Sequence, residues 1–214
     1  MGREKMFKLS LFFCFLINLS CAGKYPRYWW KDVSKDDLAW WEIAPQDAGP
    51  GEVILSKRNE LGLLSNFAKT PFYFYGKRYS NLEALWQSMK YPENNNDIRA
   101  KKAKWPYLRS EVEKMDAFSA KKAGDLATKI MKKMGVNYVT FNNVKLIYWT
   151  ELKGEHYHLI RYAMLTKLLQ NKEVQKVLKR TKGLILLPDH LTKSSDPPAW
   201  KYNEIWMEIR DQLF

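Results

Sequence analysis

LSNFAKTPFYFYGKRYSNLEALWQSMKYPE, residues 64–93, carries the pattern around which the rest of the chain is arranged. Phe72-Tyr73-Phe74-Tyr75, bounded by Pro71 and Gly76, predicts a short strand that turns at Gly76-Lys77 into a brief second strand. Ser80-x-x-Glu83 then has the form of a capping box, which predicts a helix start at Ser80. At about 100° per residue, Leu82, Leu85, Trp86 and Met89 fill one apolar arc. Glu83, Gln87 and Lys90 fall on a neighbouring arc of roughly 60°. The remaining side holds Ala84, Ser88 and Tyr91, where a surface helix would carry its charges, so this helix is expected to be enclosed on several sides. Spacing leaves two roles open for the polar strip: solvated neighbours beside a helix cap, or the wall of a pocket.

The order Ser65-Asn66-Phe67, strand, Gly76-Lys77, then Glu83-x-x-x-Gln87-x-x-Lys90 resembles the NADAR family, the YbiA-like N-glycosidases. That family's signature runs SNF, a strand ending in a glycine turn, then E-hydrophobic-QA-K on a helix. The resemblance continues more faintly through residues 120–124, 164–171, Thr181 and 207–210, and spans roughly residues 53–213. It implies an α+β fold, mostly helical, in a single domain with a small antiparallel sheet. It also implies cleavage of a ribosyl C–N bond, in ADP-ribosylated guanine or in a related ribosyl nucleotide, free or carried on nucleic acid.

Such cleavage passes through an oxocarbenium-like state and needs negative charge near the sugar, a proton for the departing nitrogen and a held nucleophile. Glu83 and Lys90 are the catalytic candidates. Glu83 lies in a first helical turn, whose positive dipole field favours the ionised carboxylate and a charge-stabilising or basic role. Lys90 either holds a phosphate as a point charge or, if desolvated, attacks the anomeric carbon as a Schiff-base nucleophile. Asn66 and Gln87 offer amides to ribose hydroxyls or a base edge, while Phe67 and Trp86 either stack on a flat ring or pack the core. Ser65, Asp189 and Trp200 complete the substrate-binding set that the resemblance implies. The chain departs from the family at its C-terminal end. Asp196-Pro197-Pro198-Ala199-Trp200 stands where relatives carry D-x-Y-W-G, Asn203 stands at a glycine position, and Asp125 follows Gly124 where arginine is usual. These departures bear on the pocket rim and on a phosphate contact, so a non-catalytic surface protein that binds ADP-ribose or a nucleotide is the alternative function.

The chain has 214 residues, enough to bury a substantial core, and a hydrophobic fraction of 46% excludes disorder for most of its length. Its 36 Lys and Arg against 23 Asp and Glu raise the local concentration of phosphate-bearing partners without choosing among nucleotide, nucleic acid and anionic lipid. Arg3, Lys5 and Lys8 precede an apolar run from Leu9 to Leu19, too short to span a bilayer and of a length suited to a signal segment. Residues 1–22 are therefore expected to export the chain, with cleavage after Ala22 or before a lipid-bearing Cys21 that attaches the protein to a membrane. A cytoplasmic protein is the alternative. Cys14 and Cys21 both lie in this segment, so the rest of the chain has no disulfide, thiolate metal site or cysteine nucleophile.

Residues 23–51 form an aromatic arm and linker, with a short helix predicted near residues 35–42 behind Ser34. Its tryptophans either stack on a ligand, lie at a membrane interface or pack onto the domain at residues 52–214. Helices are expected near residues 97–104, 109–115 and 119–134, the last closed by Gly135, and through most of residues 142–178. Leu184 to Leu187 predicts a strand, and residues 202–213 a final helix. His156 and His158 have no third partner at suitable spacing, and neither a metal nor a cofactor is expected. No P-loop, GxSxG or dinucleotide fingerprint is present.

Overall fold

The computed structural model describes residues 24–214. The segment at 1–22 with Cys14 and Cys21, and its possible lipid, lie outside the described residues. The architecture is α+β and mostly helical. Its strands pair as β1 (Glu52–Ile54) with β6 (Ile185–Leu187) in parallel, β2 (Phe72–Phe74) with β3 (Lys77–Tyr79) antiparallel, and β4 (Tyr138–Phe141) with β5 (Val144–Ile147) antiparallel. The expected single antiparallel sheet is thus three separate two-stranded pieces. The helices are α1 (Leu82–Ser88), α2 (Ile98–Lys102), α3 (Arg109–Val112), α4 (Ala117–Lys133), α5 (Glu155–Gln170), α6 (Lys172–Arg180) and α7 (Tyr202–Leu213). Among the described residues no helix is long and apolar enough to cross a membrane.

The β2–β3 hairpin turns at Tyr75-Gly76, both at positive φ (48° and 76°), the two-residue turn whose twist matches the strands. A second hairpin replaces the start of the helical region expected from residue 142. Asn142-Asn143 take φ values of 50° and 65°, which asparagine tolerates, and reverse the chain between β4 and β5. The outer edge of β2 is closed by Gln170, which accepts from Tyr73 N at 2.7 Å and donates to Tyr73 O at 2.8 Å.

Two apolar clusters meet at α1. Leu82, Leu85 and Met89 join the main core, while Ala84 packs with Tyr91, Val112, Ala120, Ala123 and Ala127. The small residues on the helix's third side are there because α4 lies against it. Asn81, not Ser80, caps α1, accepting from Ala84 N at 2.7 Å. Ser80 donates instead to Lys114 O, so the expected capping box does not form.

Beyond α1 the chain is held by Arg99 of α2, which is fully buried. Its guanidinium donates to Met89 O, Lys90 O and Tyr91 O, to Thr140 Oγ1 and to Asp97, whose carboxylate stands at 2.7 Å. The buried carbonyls of the turn that follows α1 thereby have a donor.

The arm docks on the domain through Trp29, which is buried with its indole N–H on Glu60 at 2.9 Å, and through Trp30, which donates to Glu52 O. Trp40, at 94% exposed, does not pack. The helix predicted behind Ser34 is only a 3-10 turn, Lys35–Asp37, and Ser34 makes no side-chain cap. Removing the buried cation from its carbonyls and from Asp97 by Arg99→Ala is expected to cost roughly 3–5 kcal/mol of unfolding free energy. Urea denaturation of the two proteins measures it.

Candidate active site

The loop at residues 65–67 lies against the start of α1. Asn66 O accepts from Glu83 N at 3.0 Å, satisfying one of the amides that a helix leaves open at its first turn. The Ser65 hydroxyl accepts from Phe67 N, and the carbonyls of Leu63 and Ser65 accept from the amine of Lys167 at 3.2 and 2.9 Å. Ser65, expected to bind substrate, therefore builds the loop, and Lys167 anchors it from below.

Relieved of any capping duty, the Glu83 carboxylate accepts from Gln87 Nε2 at 2.6 Å. Lys90 lies two residues beyond the end of α1, in a tight turn whose carbonyl Arg99 grips, and its amine donates to Thr128 Oγ1 on α4 at 3.0 Å. Glu83, Gln87 and Lys90 are 4%, 2% and 7% exposed, so the polar strip faces inward. Gly124 of α4 makes room for it, because a Cβ there would stand 1.6 Å from Gln87 Oε1.

Burial dominates the electrostatics. It pushes the Glu83 carboxyl above the usual carboxylate range, against the hydrogen bond from Gln87 and the charge of Lys90. It pushes Lys90 down to about 8, against the attraction of Glu83. Helix α1 is only seven residues long, and desolvation, which favours the protonated carboxyl, acts against the dipole field expected to favour the ionised one. A carboxyl able to hold a proton and an amine able to lose one, the first on α1 and the second in the turn after it, can supply acid and nucleophile.

Trp86 flanks this pair. Its ring lies 5.3 Å from the Lys90 amine, 4.6 Å from the ring of His156, 5.6 Å from Tyr148 and 6.4 Å from Trp200. Trp149 meets Trp200 edge-on at 4.8 Å. Four side-chain atoms here are buried without a hydrogen-bond partner: Asn66 Oδ1, Gln87 Oε1, His156 Nε2 and Trp200 Nε1. Such atoms are few in folded proteins.

Phe67 and Asp189 stand on the flank. Phe67 meets Phe118 edge-on at 5.3 Å, and the Lys57 amine lies 5.9 Å from its ring and 5.1 Å from that of Trp41 in the arm. Asp189 is paired with Lys57 and with His190 Nδ1 at 3.0 Å. Burial pushes its carboxyl up, but His190 and Lys57 outweigh it and hold it below the usual range. The structure therefore gathers Glu83, Gln87, Lys90, Asn66, Trp86 and Trp200, and sets Asp189 behind Lys57.

Lys57, His156 and Lys167 escape sequence reasoning, although Lys167 left a signal. It occupies the stripe of Ile160, Ala163, Met164 and Leu168, where a charge means a buried one. Among the described residues no three His, Cys, Asp or Glu converge as a metal would need. A shallow groove of about 400 Å³, lined by residues that include Trp105, Leu126 and Ile130, opens on the far side of α4 and meets none of the site residues. Comparison of the chain with protein-family models, with curated proteins and with solved structures returns no match.

Lys167 is fully buried and pushed down by burial to about 7, from 10.5 when exposed. A depressed folded value means that stability is lost as pH falls toward 7 and gained as pH rises toward 10.5. Relative to Lys167→Met, the wild-type unfolding free energy should rise between pH 7.5 and 9.5, by at most about 1.4 kcal/mol per pH unit. Urea unfolding at three pH values in that range measures the difference in slope.

Proposed function

We propose that the chain is an N-glycosidase of the NADAR type, which hydrolyses the bond between ribose C1′ and a base nitrogen in ADP-ribosylated guanine or a related ribosyl nucleotide. The observation that carries this reading is the inward-facing trio of Glu83, Gln87 and Lys90, whose acid and amine are both driven toward their neutral forms by burial. Protonated Glu83 donates to the base nitrogen as the C1′–N bond breaks. The free amine of Lys90 bonds to C1′, its proton passes to the Glu83 carboxylate and from there to O4′ as the C1′–O4′ bond breaks, and the opened sugar is left as a protonated imine on Lys90. Water then adds to the imine and releases the ribose aldehyde and the amine. The net change is addition of one water across the C–N bond. Gln87 Oε1 and Asn66 Oδ1, both without partners, accept from ribose hydroxyls during these steps.

Residues 1–22 belong to the same proposal as an export segment with a lipid on Cys21. Labelling cells with a radioactive fatty acid should mark the wild-type protein and leave Cys21→Ser unmarked; an unlabelled, full-length protein in the cytosol removes this part.

The activity is tested on guanine-ADP-ribosylated DNA and on ribosylamino-pyrimidine phosphate. Glu83→Gln should lower base release by about 10²–10⁴-fold. Borohydride should trap a sugar adduct on Lys90 in the wild type and none in Lys90→Met. Equal product from wild type and Glu83→Gln defeats the assignment. Thermal stabilisation by ADP-ribose without base release would make the protein a binder instead.

A further inference from the structure

Helix α4 has two faces of different character. The inner one packs beside Ala84 of α1 through Ala120, Ala123 and Ala127, and its Gly124 makes room for Gln87. The outer one repeats Lys122, Leu126, Lys129, Ile130 and Lys133 at i, i+4, i+7, i+8 and i+11, a single stripe of a helix. Its three lysines are exposed, and Leu126 is 41% exposed. Leu126, Lys129 and Ile130 form one wall of the groove of about 400 Å³, and Lys104, Trp105 and Pro106 form the other. Trp105 is fixed there from behind: its indole N–H donates to Arg99 O at 3.0 Å, and its ring lies 5.3 Å from that of Tyr91. Leu108, two residues beyond Pro106, is 69% exposed.

The charge around this groove is of one sign. Residues 97–134 hold nine lysines and two arginines against five acids. Every one of those acids is engaged within the fold: Asp97 by Arg99, Glu111 by the Leu108 amide, Glu113 by Arg109, Asp116 by the first amides of α4 and Asp125 by Lys121. Both arginines are buried. Lys101, Lys102, Lys104, Lys122, Lys129 and Lys133 are exposed and make no ion pair among the described residues.

Such a face attracts an extended anionic partner, and its side chains distinguish a bilayer from a nucleic acid. Arginine, whose planar fork grips one phosphate at two points, is turned inward here, which leaves lysines, point charges on flexible stems. Leu108, Leu126 and Ile130, set among those lysines, gain nothing against a phosphate backbone. A bilayer buries such side chains at its headgroup boundary while the lysines reach lipid phosphates. Tryptophan, an apolar ring with one polar edge, suits the same depth.

We infer that the outer face of α4, together with the 104–108 loop, docks on an anionic lipid bilayer, with Leu108, Leu126 and Ile130 at the headgroup boundary and Lys104 and Lys129 on lipid phosphates at the groove. This face is turned away from Glu83 and Lys90, so it stands whether or not they are catalytic.

Vesicle sedimentation tests it. The full chain carrying Cys21→Ser, so that no acyl group on Cys21 contributes, is mixed with vesicles of phosphatidylcholine alone and of phosphatidylcholine with one third phosphatidylglycerol. Partition onto the anionic vesicles is expected to be at least about tenfold stronger. Raising the salt from about 0.1 M to about 1 M shortens the screening length from about 10 Å to about 3 Å and should remove most of that preference. A lysine near an anionic surface contributes roughly fivefold in affinity, so Lys129→Glu with Lys133→Glu should lower anionic partition by at least about tenfold. Lys35→Glu with Lys193→Glu, the same change of charge in the arm and in the loop after β6, should lower it less than about threefold. Leu126→Ser leaves the charge alone and should weaken partition about fivefold. All five positions are exposed, and thermal unfolding reports whether each variant is folded. Equal partition onto the two kinds of vesicle, or an equal loss in the two charge-reversed pairs, overturns the inference. So does binding of a single-stranded oligonucleotide, lost in Lys129→Glu with Lys133→Glu, by a chain that ignores vesicles, which would assign the face to nucleic acid.

Discussion

A helix of seven residues has no stability of its own, since isolated helices below about 12–15 residues are marginal in water. Helix α1 exists because its surroundings satisfy both its ends and bury its sides. Asn81 and the carbonyl of Asn66 take amides of its first turn, and Arg99 takes the carbonyls just past its last. Leu82, Leu85 and Met89 face one apolar cluster and Ala84 faces the other. The positions of Glu83, Gln87 and Lys90 follow from this clamp, so the chemistry of the site is inherited from packing.

That inheritance has an electrostatic consequence. An exposed glutamate and lysine two helix turns apart would both stay charged and interact only weakly through water. Buried, each is pushed toward its neutral form more strongly than the other can pull it back. The same burial acts on His156 and on Lys167, which stand on α5 at either end of the region. For Lys167 that burial serves the loop at residues 65–67, whose carbonyls take its amine.

Where local rules held, the elements came out as read. The Phe72–Phe74 strand turned at its glycine, α4 closed at Gly135, and α7 covers residues 202–213. Where two local rules competed, the tertiary context chose. Ser80 and Asn81 are both good caps, and Ser80 was drawn off by Lys114 O. The helical spacing at the start of residues 142–178 concealed a hairpin, because Asn142-Asn143 can supply a left-handed turn as well as a loop. The arm could not be placed from its letters either: Trp29 and Trp40 read alike, yet one is buried on Glu60 and the other stands in solvent.

From its letters alone, the chain determined that Glu83, Gln87 and Lys90 share one face of α1 and that its small residues share another. These follow from periodicity and side-chain size, which are local. Only the tertiary structure decided that Glu83 is driven toward its acid form, that Lys90 leans on Thr128, and that His156 and Trp200 keep unpartnered polar atoms beside Trp86. Those properties depend on how much water is excluded and on which distant side chains arrive to exclude it, and no spacing along the chain encodes either.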